Sequence, residues 1–147
     1  AKLDAELIES DMRDYDTEPA PFVLLDAPCS ATGTIRRHPE LPWIKSASDI
    51  QLTAQAAGEF LDVAADMVAP GGTLVFAVCS LEPEEGAEQV ADFLARNDAF
   101  TRKNIHAEEV FGLHDVIDAN GDLRTLPCHL AEKGGMDGFY AARLIRG

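Results

Sequence analysis

Cysteine is scarce. The 147 residues hold three, Cys29, Cys79 and Cys128, an odd set too sparse to staple a small secreted scaffold. A reducing, cytoplasmic compartment is therefore expected. Their wide separation matches no compact zinc knuckle, so a zinc site would need all three gathered by the fold, with His129 or His38 as the fourth ligand. Long apolar runs are missing as well, and nothing approaches the ~20 residues that span a bilayer. No membrane partner is expected. The first residues, Ala1-Lys2-Leu3-Asp4, form no apolar signal core and include no Met, which predicts a chain cut from something longer. Basic residues are few, 12 Lys and Arg against 26 Asp and Glu, for a net charge of −14. That excludes indiscriminate binding of polyanions, because neutralising phosphates takes clustered cations. What remains is ordinary for a globular chain, 46% apolar and 26% charged. Without repeats, low-complexity stretches or linkers, residues 1–147 are expected to form one domain.

Periodicity supplies the elements. Phe22 to Asp26 is a short apolar run ending at an acid, which predicts a buried strand, and Ala5 to Glu9 predicts an earlier one ending at Ser10-Asp11. A Gly- and Pro-punctuated loop runs from Ala27 to about Ser46. Ser48-Asp49-Ile50-Gln51 has the form of a capping box, and Ile50, Ala54, Ala57, Leu61, Ala64 and Val68 form a helical stripe that Pro70-Gly71-Gly72 should stop. Thr73 to Cys79 is almost continuously apolar, as in a parallel strand buried on both faces. Leu81 to Asn97 predicts a helix with Pro83, Glu82, Glu84 and Glu85 in its first turn. Leu123 to Leu126 and Phe139 to Ile145 predict two late strands, antiparallel and at or near a sheet edge. The order indicates a doubly wound α/β sheet.

In such sheets ligands bind beyond the carboxyl ends of the strands. Three expected strand ends carry polar or reactive groups: Asp11, then Asp26 to Ser30 with Cys29, then Cys79-Ser80. Two carboxylates and two thiols should converge on one rim. A thiolate is a strong carbon nucleophile once its pKa is lowered. Cys79 immediately precedes an expected helix start whose amide dipoles favour the ionised form, while Glu82, Glu84 and Glu85 oppose it. Trp43 is either a surface for stacking on a base or an anchor that packs the loop.

These residues resemble a known family. Asp26-Ala27-Pro28-Cys29-Ser30-Ala31-Thr32-Gly33-Thr34, followed by Ile35-Arg36-Arg37-His38-Pro39, resembles motif IV of the Nol/Nop/Sun RNA cytosine-5 methyltransferases. Pro70 to Val75 leading into Cys79-Ser80-Leu81-Glu82-Pro83-Glu84-Glu85 resembles motif VI, and Gly134 to Tyr140 is similar to the last motif. The Ile-Arg-Arg-His-Pro run is nearest the bacterial, Sun-like branch that modifies small-subunit ribosomal RNA. The resemblance covers nearly the whole chain and implies a Rossmann-like class I methyltransferase sheet, its N-terminal strands missing, with antiparallel C-terminal edge strands.

It also implies roles. S-adenosylmethionine would be the cofactor and 16S ribosomal RNA the substrate. Cys79 would be the nucleophile that adds to carbon-6 of cytosine, and Cys29 would help release the product. Asp26 would bind the polar edge of the flipped base and lie beside the cofactor, and Asp11 would contact the cofactor's adenosine. Arg36, Arg37 and His38 would grip RNA. Val78 stands where the family usually has Thr, and the family's Gly-rich cofactor loop, ribose-binding acid and base-side Lys have no counterpart. The expectation is therefore the C-terminal part of a longer catalytic domain, with little activity alone.

Two other classes compete. An amino-group methyltransferase places Asn or Asp, Pro, Pro and an aromatic at this strand end, but Asp26-Ala27-Pro28-Cys29 lacks the second Pro and the aromatic. A non-catalytic RNA- or protein-binding domain with the same fold would suit the −14 charge and the absent loop. An upstream Gly-rich loop would favour the enzyme.

Overall fold

The computed structural model describes residues 4–147. Five strands form one sheet: β1 (Ala20–Asp26), β2 (Val68–Val78), β3 (Phe100–Arg102), β4 (Leu123–Thr125) and β5 (Phe139–Arg146). Helices α1 (Leu41–Ile44), α2 (Ala47–Asp66) and α3 (Ala87–Arg96) lie between them. β1 and β2 are parallel, with Phe22 opposite Thr73 and Asp26 opposite Ala77. β5 runs antiparallel to β2, and its far side is shared by β3 and β4. The late strands are thus antiparallel as expected, although β5 is interior and the short β3 and β4 make the edge.

The apolar periodicity explains the packing. Leu74, Phe76 and Val78 of β2 and Ala142 and Leu144 of β5 are fully buried against Ala57, Leu61 and Ala64 of α2 and Val90 and Phe93 of α3. Each buried Leu or Phe contributes about 1.5–3 kcal/mol of transfer free energy. Both helices cover this one face. The opposite face holds Phe22 and Leu24 of β1, 78% and 71% exposed, and β2 is only half-buried there at Thr73, Val75 and Ala77. The expected burial of β1, and of β2 on both faces, is therefore corrected: of β1 only Leu25 is buried, and among the described residues no helix lies over the second face.

Other expectations shift for local reasons. Residues 4–9 are irregular and exposed, because β1 pairs with β2 alone among the described residues and offers them no ladder. The capping box of α2 is Ser46 with Asp49, two residues before the expected one; the Ser46 amide donates to the Asp49 carboxylate at 2.8 Å. α2 ends at Asp66, and Val68 already pairs with Ala20. Pro70-Gly71-Gly72 is a bulge inside β2 rather than a helix stop, with Gly71 in the left-handed region at φ 75°. The helix expected from Leu81 divides into a 3₁₀ turn, Pro83–Glu85, and α3. The break falls at Gly86, where a Cβ would lie 3.0 Å from the buried Tyr140 ring.

Candidate active site

β1 and β2 run side by side and end at the same rim, so the chain after each delivers one thiol. The Cys29 and Cys79 sulfurs lie 3.5 Å apart, both half-buried. Burial pushes the Cys29 thiol up to about 12, and the neighbouring Cys79 adds to the rise. Cys29 therefore carries its proton at neutral pH. Helix-dipole activation of Cys79 is not the arrangement found. A 3₁₀ turn follows it, and α3 begins only at Ala87.

The two thiol loops are stitched together. The Gly33 amide donates to the Cys79 carbonyl at 3.0 Å, and the Gly138 amide donates to the Gly33 carbonyl at 2.8 Å. A Cβ on Gly33 would fall 1.9 Å from the Gly138 oxygen, so only glycine permits this approach. The Leu81 amide donates to Thr32 Oγ1 at 2.9 Å. From β4, Arg124 donates to the carbonyls of Ser80 and Leu81 at 2.8 and 2.6 Å. Glu85 is fully buried between the loops. Sequence reasoning places it among the three acids of a helix's first turn, and nothing in an isolated acidic run distinguishes the one that folds inward. Arg124 gave no signal either, since its partners are backbone carbonyls more than forty residues away.

The remaining predicted site residues occupy distinct positions. Asp26 ends β1, exposed and in register with Ala77, two residues before Cys79. Asp11 caps the 3₁₀ turn Met12–Asp14 and is held by Arg13 at 2.6 and 2.9 Å, which keeps its carboxyl near 2. Arg37 donates to Asp137 at 2.7 Å, and Arg36 donates to the Gly134 carbonyl at 2.5 Å and approaches Asp137 at 3.6 Å. His38 pairs with Glu40 at 3.3 Å. Arg36, Arg37 and Asp137, with Ala77, Phe139 and Ala141, line an apolar cavity of about 590 Å³. Trp43 is 88% exposed and does not pack the loop. Cys128 is exposed, and among the described residues no group of three or more His, Cys, Asp or Glu is placed to hold a metal. No described helix is long and apolar enough to cross a membrane.

A carboxylate exposed at the end of a parallel strand fits a ligand with hydroxyl and cationic groups, as S-adenosylmethionine has, and Asp26 provides one. Both Asp11 oxygens are taken by Arg13, so Asp11 would have to exchange that partner.

Residues 2–145 match the family model described as 16S rRNA methyltransferase RsmB/F. Ribosomal RNA small subunit methyltransferase B of Pseudomonas putida is 43% identical over 99% of this chain and 32% of its own length. The protein of the same name in Vibrio vulnificus is 40% identical over 98% of this chain and 31% of its own. The chain thus spans about a third of the length of these relatives. Among solved structures, PH0851 superposes with a TM-score of 0.73 at 33% identity, covering 85% of this chain and 26% of that one. NSun6 from Pyrococcus horikoshii, solved with SFG, gives 0.73 at 24% identity over 96% of this chain and 34% of that one, a likeness of fold.

Proposed function

The chain belongs to the 16S rRNA methyltransferase RsmB/F family, and from that membership we propose that it is the C-terminal part of a catalytic domain that methylates carbon-5 of cytosine in 16S ribosomal RNA, in the cytoplasm, with S-adenosylmethionine as methyl donor. The observation that carries this reading is the pair of sulfurs 3.5 Å apart beyond the ends of two parallel strands, the first of which ends at Asp26. Nothing in amino-group methylation needs two thiols there.

Carbon-5 of cytosine is too electron-poor to take a methyl group directly. The Cys79 thiolate bonds to carbon-6, and the ring double bond shifts its electron pair towards carbon-5. When bound, S-adenosylmethionine supplies an electrophilic methyl group on a sulfonium. Once carbon-5 carries the methyl group, its proton passes to solvent, that electron pair restores the ring double bond, and the Cys79–carbon bond breaks with its pair returning to sulfur. Cys29 keeps its proton at neutral pH, so it stands as a hydrogen-bond donor beside the Cys79 sulfur as that sulfur departs. Asp26 hydrogen-bonds the polar edge of the base, and a proton shared with ring nitrogen 3 offsets the negative charge that gathers there as Cys79 adds. Of the two acids assigned to the cofactor, Asp26 is already accessible, and Asp11 contacts the adenosine after releasing Arg13.

Arg36, Arg37 and His38 hold RNA phosphates or flanking nucleotides. The three side chains are themselves exposed; the partner of His38, Glu40, lies on the surface and is replaced at low cost, while Arg36 and Arg37 share the part-buried carboxylate of Asp137. With a net charge of −14, binding rests on this local patch and on other parts of the longer protein. The test is methyl transfer by the full-length protein to a 16S ribosomal RNA transcript, followed by nucleoside mass spectrometry. The expected product is 5-methylcytidine. A methyl group on an exocyclic amine, or on no nucleoside, overturns the reading.

A further inference from the structure

Glu85 is a charged-type side chain with no exposed surface, and both of its oxygens are filled. Oε1 accepts from the Ser30 amide at 2.7 Å and from the Thr53 hydroxyl; Oε2 accepts from the Ser30 hydroxyl at 2.6 Å and from the Ser80 hydroxyl. Ser30 follows Cys29, Ser80 follows Cys79, and Thr53 is on α2. A single carboxylate thus joins the residue after each thiol to the helix beneath them. Burying such a group costs free energy unless every lone pair finds a donor, and here four donors converge. An apolar residue would fill the same space for core packing alone. The acceptor geometry does something more: it ties the residue after one thiol to the residue after the other.

We propose that Glu85 is a positioning residue that clamps the Cys29 and Cys79 loops so that the two thiols stay in reacting register. This rests on the proposed cysteine chemistry. The clamp itself is a statement about the two sulfurs, so it is measurable without RNA. Ser80 also donates order onward, its hydroxyl accepting from the Glu82 amide at 3.0 Å and lying 3.2 Å from Thr32 Oγ1. Loosening Glu85 therefore loosens both loops together.

The test compares Glu85→Gln with wild type in the full-length protein. Gln keeps the volume but presents an NH2 to donors, and only the serine and threonine hydroxyls can turn to accept from it. The first readout is the equilibrium of the Cys29–Cys79 disulfide in a glutathione buffer, with Cys128→Ser in both proteins. There the two thiols pass two electrons and two protons to one glutathione disulfide, which becomes two glutathiones. The second is methylation. The clamp predicts a disulfide equilibrium constant about 10-fold lower in Glu85→Gln, and kcat lower by about 10–100-fold with KM for RNA nearly unchanged, as expected when reacting groups are misplaced by a fraction of an ångström. A purely structural role lowers Tm and leaves both readouts of the folded protein at wild-type values.

If Glu85→Gln does not fold, Ser80→Ala and Ser30→Ala each remove one hydroxyl donor and carry the same expectation at smaller size. A wild-type pair that does not close, or folded variants matching wild type in the disulfide equilibrium, overturns the clamp. Wild-type protein that makes no 5-methylcytidine, together with a disulfide equilibrium that still depends on Glu85, overturns the cysteine chemistry and leaves the clamp supported.

Discussion

The thiol pair and the basic loop share one rim but are built in opposite ways. Around Cys29 and Cys79 the partners are buried: Ser30, Ser80 and Glu85 have no exposed surface, and Thr32 has 8%. Around Arg36, Arg37 and His38 the side chains are 41%, 59% and 50% exposed, tied to the part-buried Asp137, the exposed Gly134 carbonyl and the exposed Glu40. Covalent chemistry demands fixed geometry, which buried, fully paired polar groups supply. Gripping a polyanion demands cations free to change partners, and surface ion pairs worth about 0–1 kcal/mol permit that.

Breaking the buried half should cost most. Cys79→Ala in the full-length enzyme is expected to lower methylation by about 10⁴-fold or more, as loss of a covalent nucleophile does. Cys29→Ala should instead let a protein–RNA adduct accumulate, visible as a shifted band on a denaturing gel. If Cys29→Ala abolishes the adduct and Cys79→Ala traps it, the two roles exchange.

Next in size is the stitching between the loops. Gly33→Ala places a methyl group 1.9 Å from the Gly138 oxygen and 2.9 Å from the Cys79 oxygen. The backbone must move, at about 1–3 kcal/mol in stability, read by denaturant unfolding. The matching change in the exposed half is smaller. Arg37→Ala takes the donor from the part-buried Asp137 and should cost about 1 kcal/mol in stability, and it should lower the salt dependence of RNA binding by about one phosphate contact. An unchanged salt slope would remove Arg37 from the RNA surface.

The last effect is absent at neutral pH and emerges only in alkaline solution. The folded-state pKa of Cys29 is raised from 9.0 to about 12, so the folded protein holds this proton more tightly than the unfolded chain. The resulting stability is present below about 9 and is lost as pH rises from there towards about 12. Cys29→Ala should flatten that part of the stability–pH curve, measured by unfolding at several pH values.

Much of this contrast was legible in the residues. The strand from Phe22 to Asp26, the stripe Ala54, Ala57, Leu61 and Ala64, and the late strands all follow from short-range periodicity, and the structure holds them close to where it placed them. Both thiols lie at strand ends because a parallel pair must bring its carboxyl ends together. What escaped depends on contacts distant in sequence. Glu85 is buried because Ser30 and Thr53 reach it from other elements, and no local pattern records that. The break at Gly86 answers to Tyr140, a residue of β5. Residues 4–9 resemble a strand in composition, yet a strand exists only where a neighbour accepts its hydrogen bonds.

One measurement bears most directly on the chemistry. The full-length enzyme is incubated with S-adenosylmethionine and 16S ribosomal RNA containing 5-fluorocytosine, whose fluorine cannot leave as the carbon-5 proton does, and the protein is digested for mass spectrometry. The expected result is a nucleotide bound covalently to the peptide carrying Cys79. Methyl transfer to unsubstituted RNA with no adduct on any cysteine peptide would contradict the thiol mechanism.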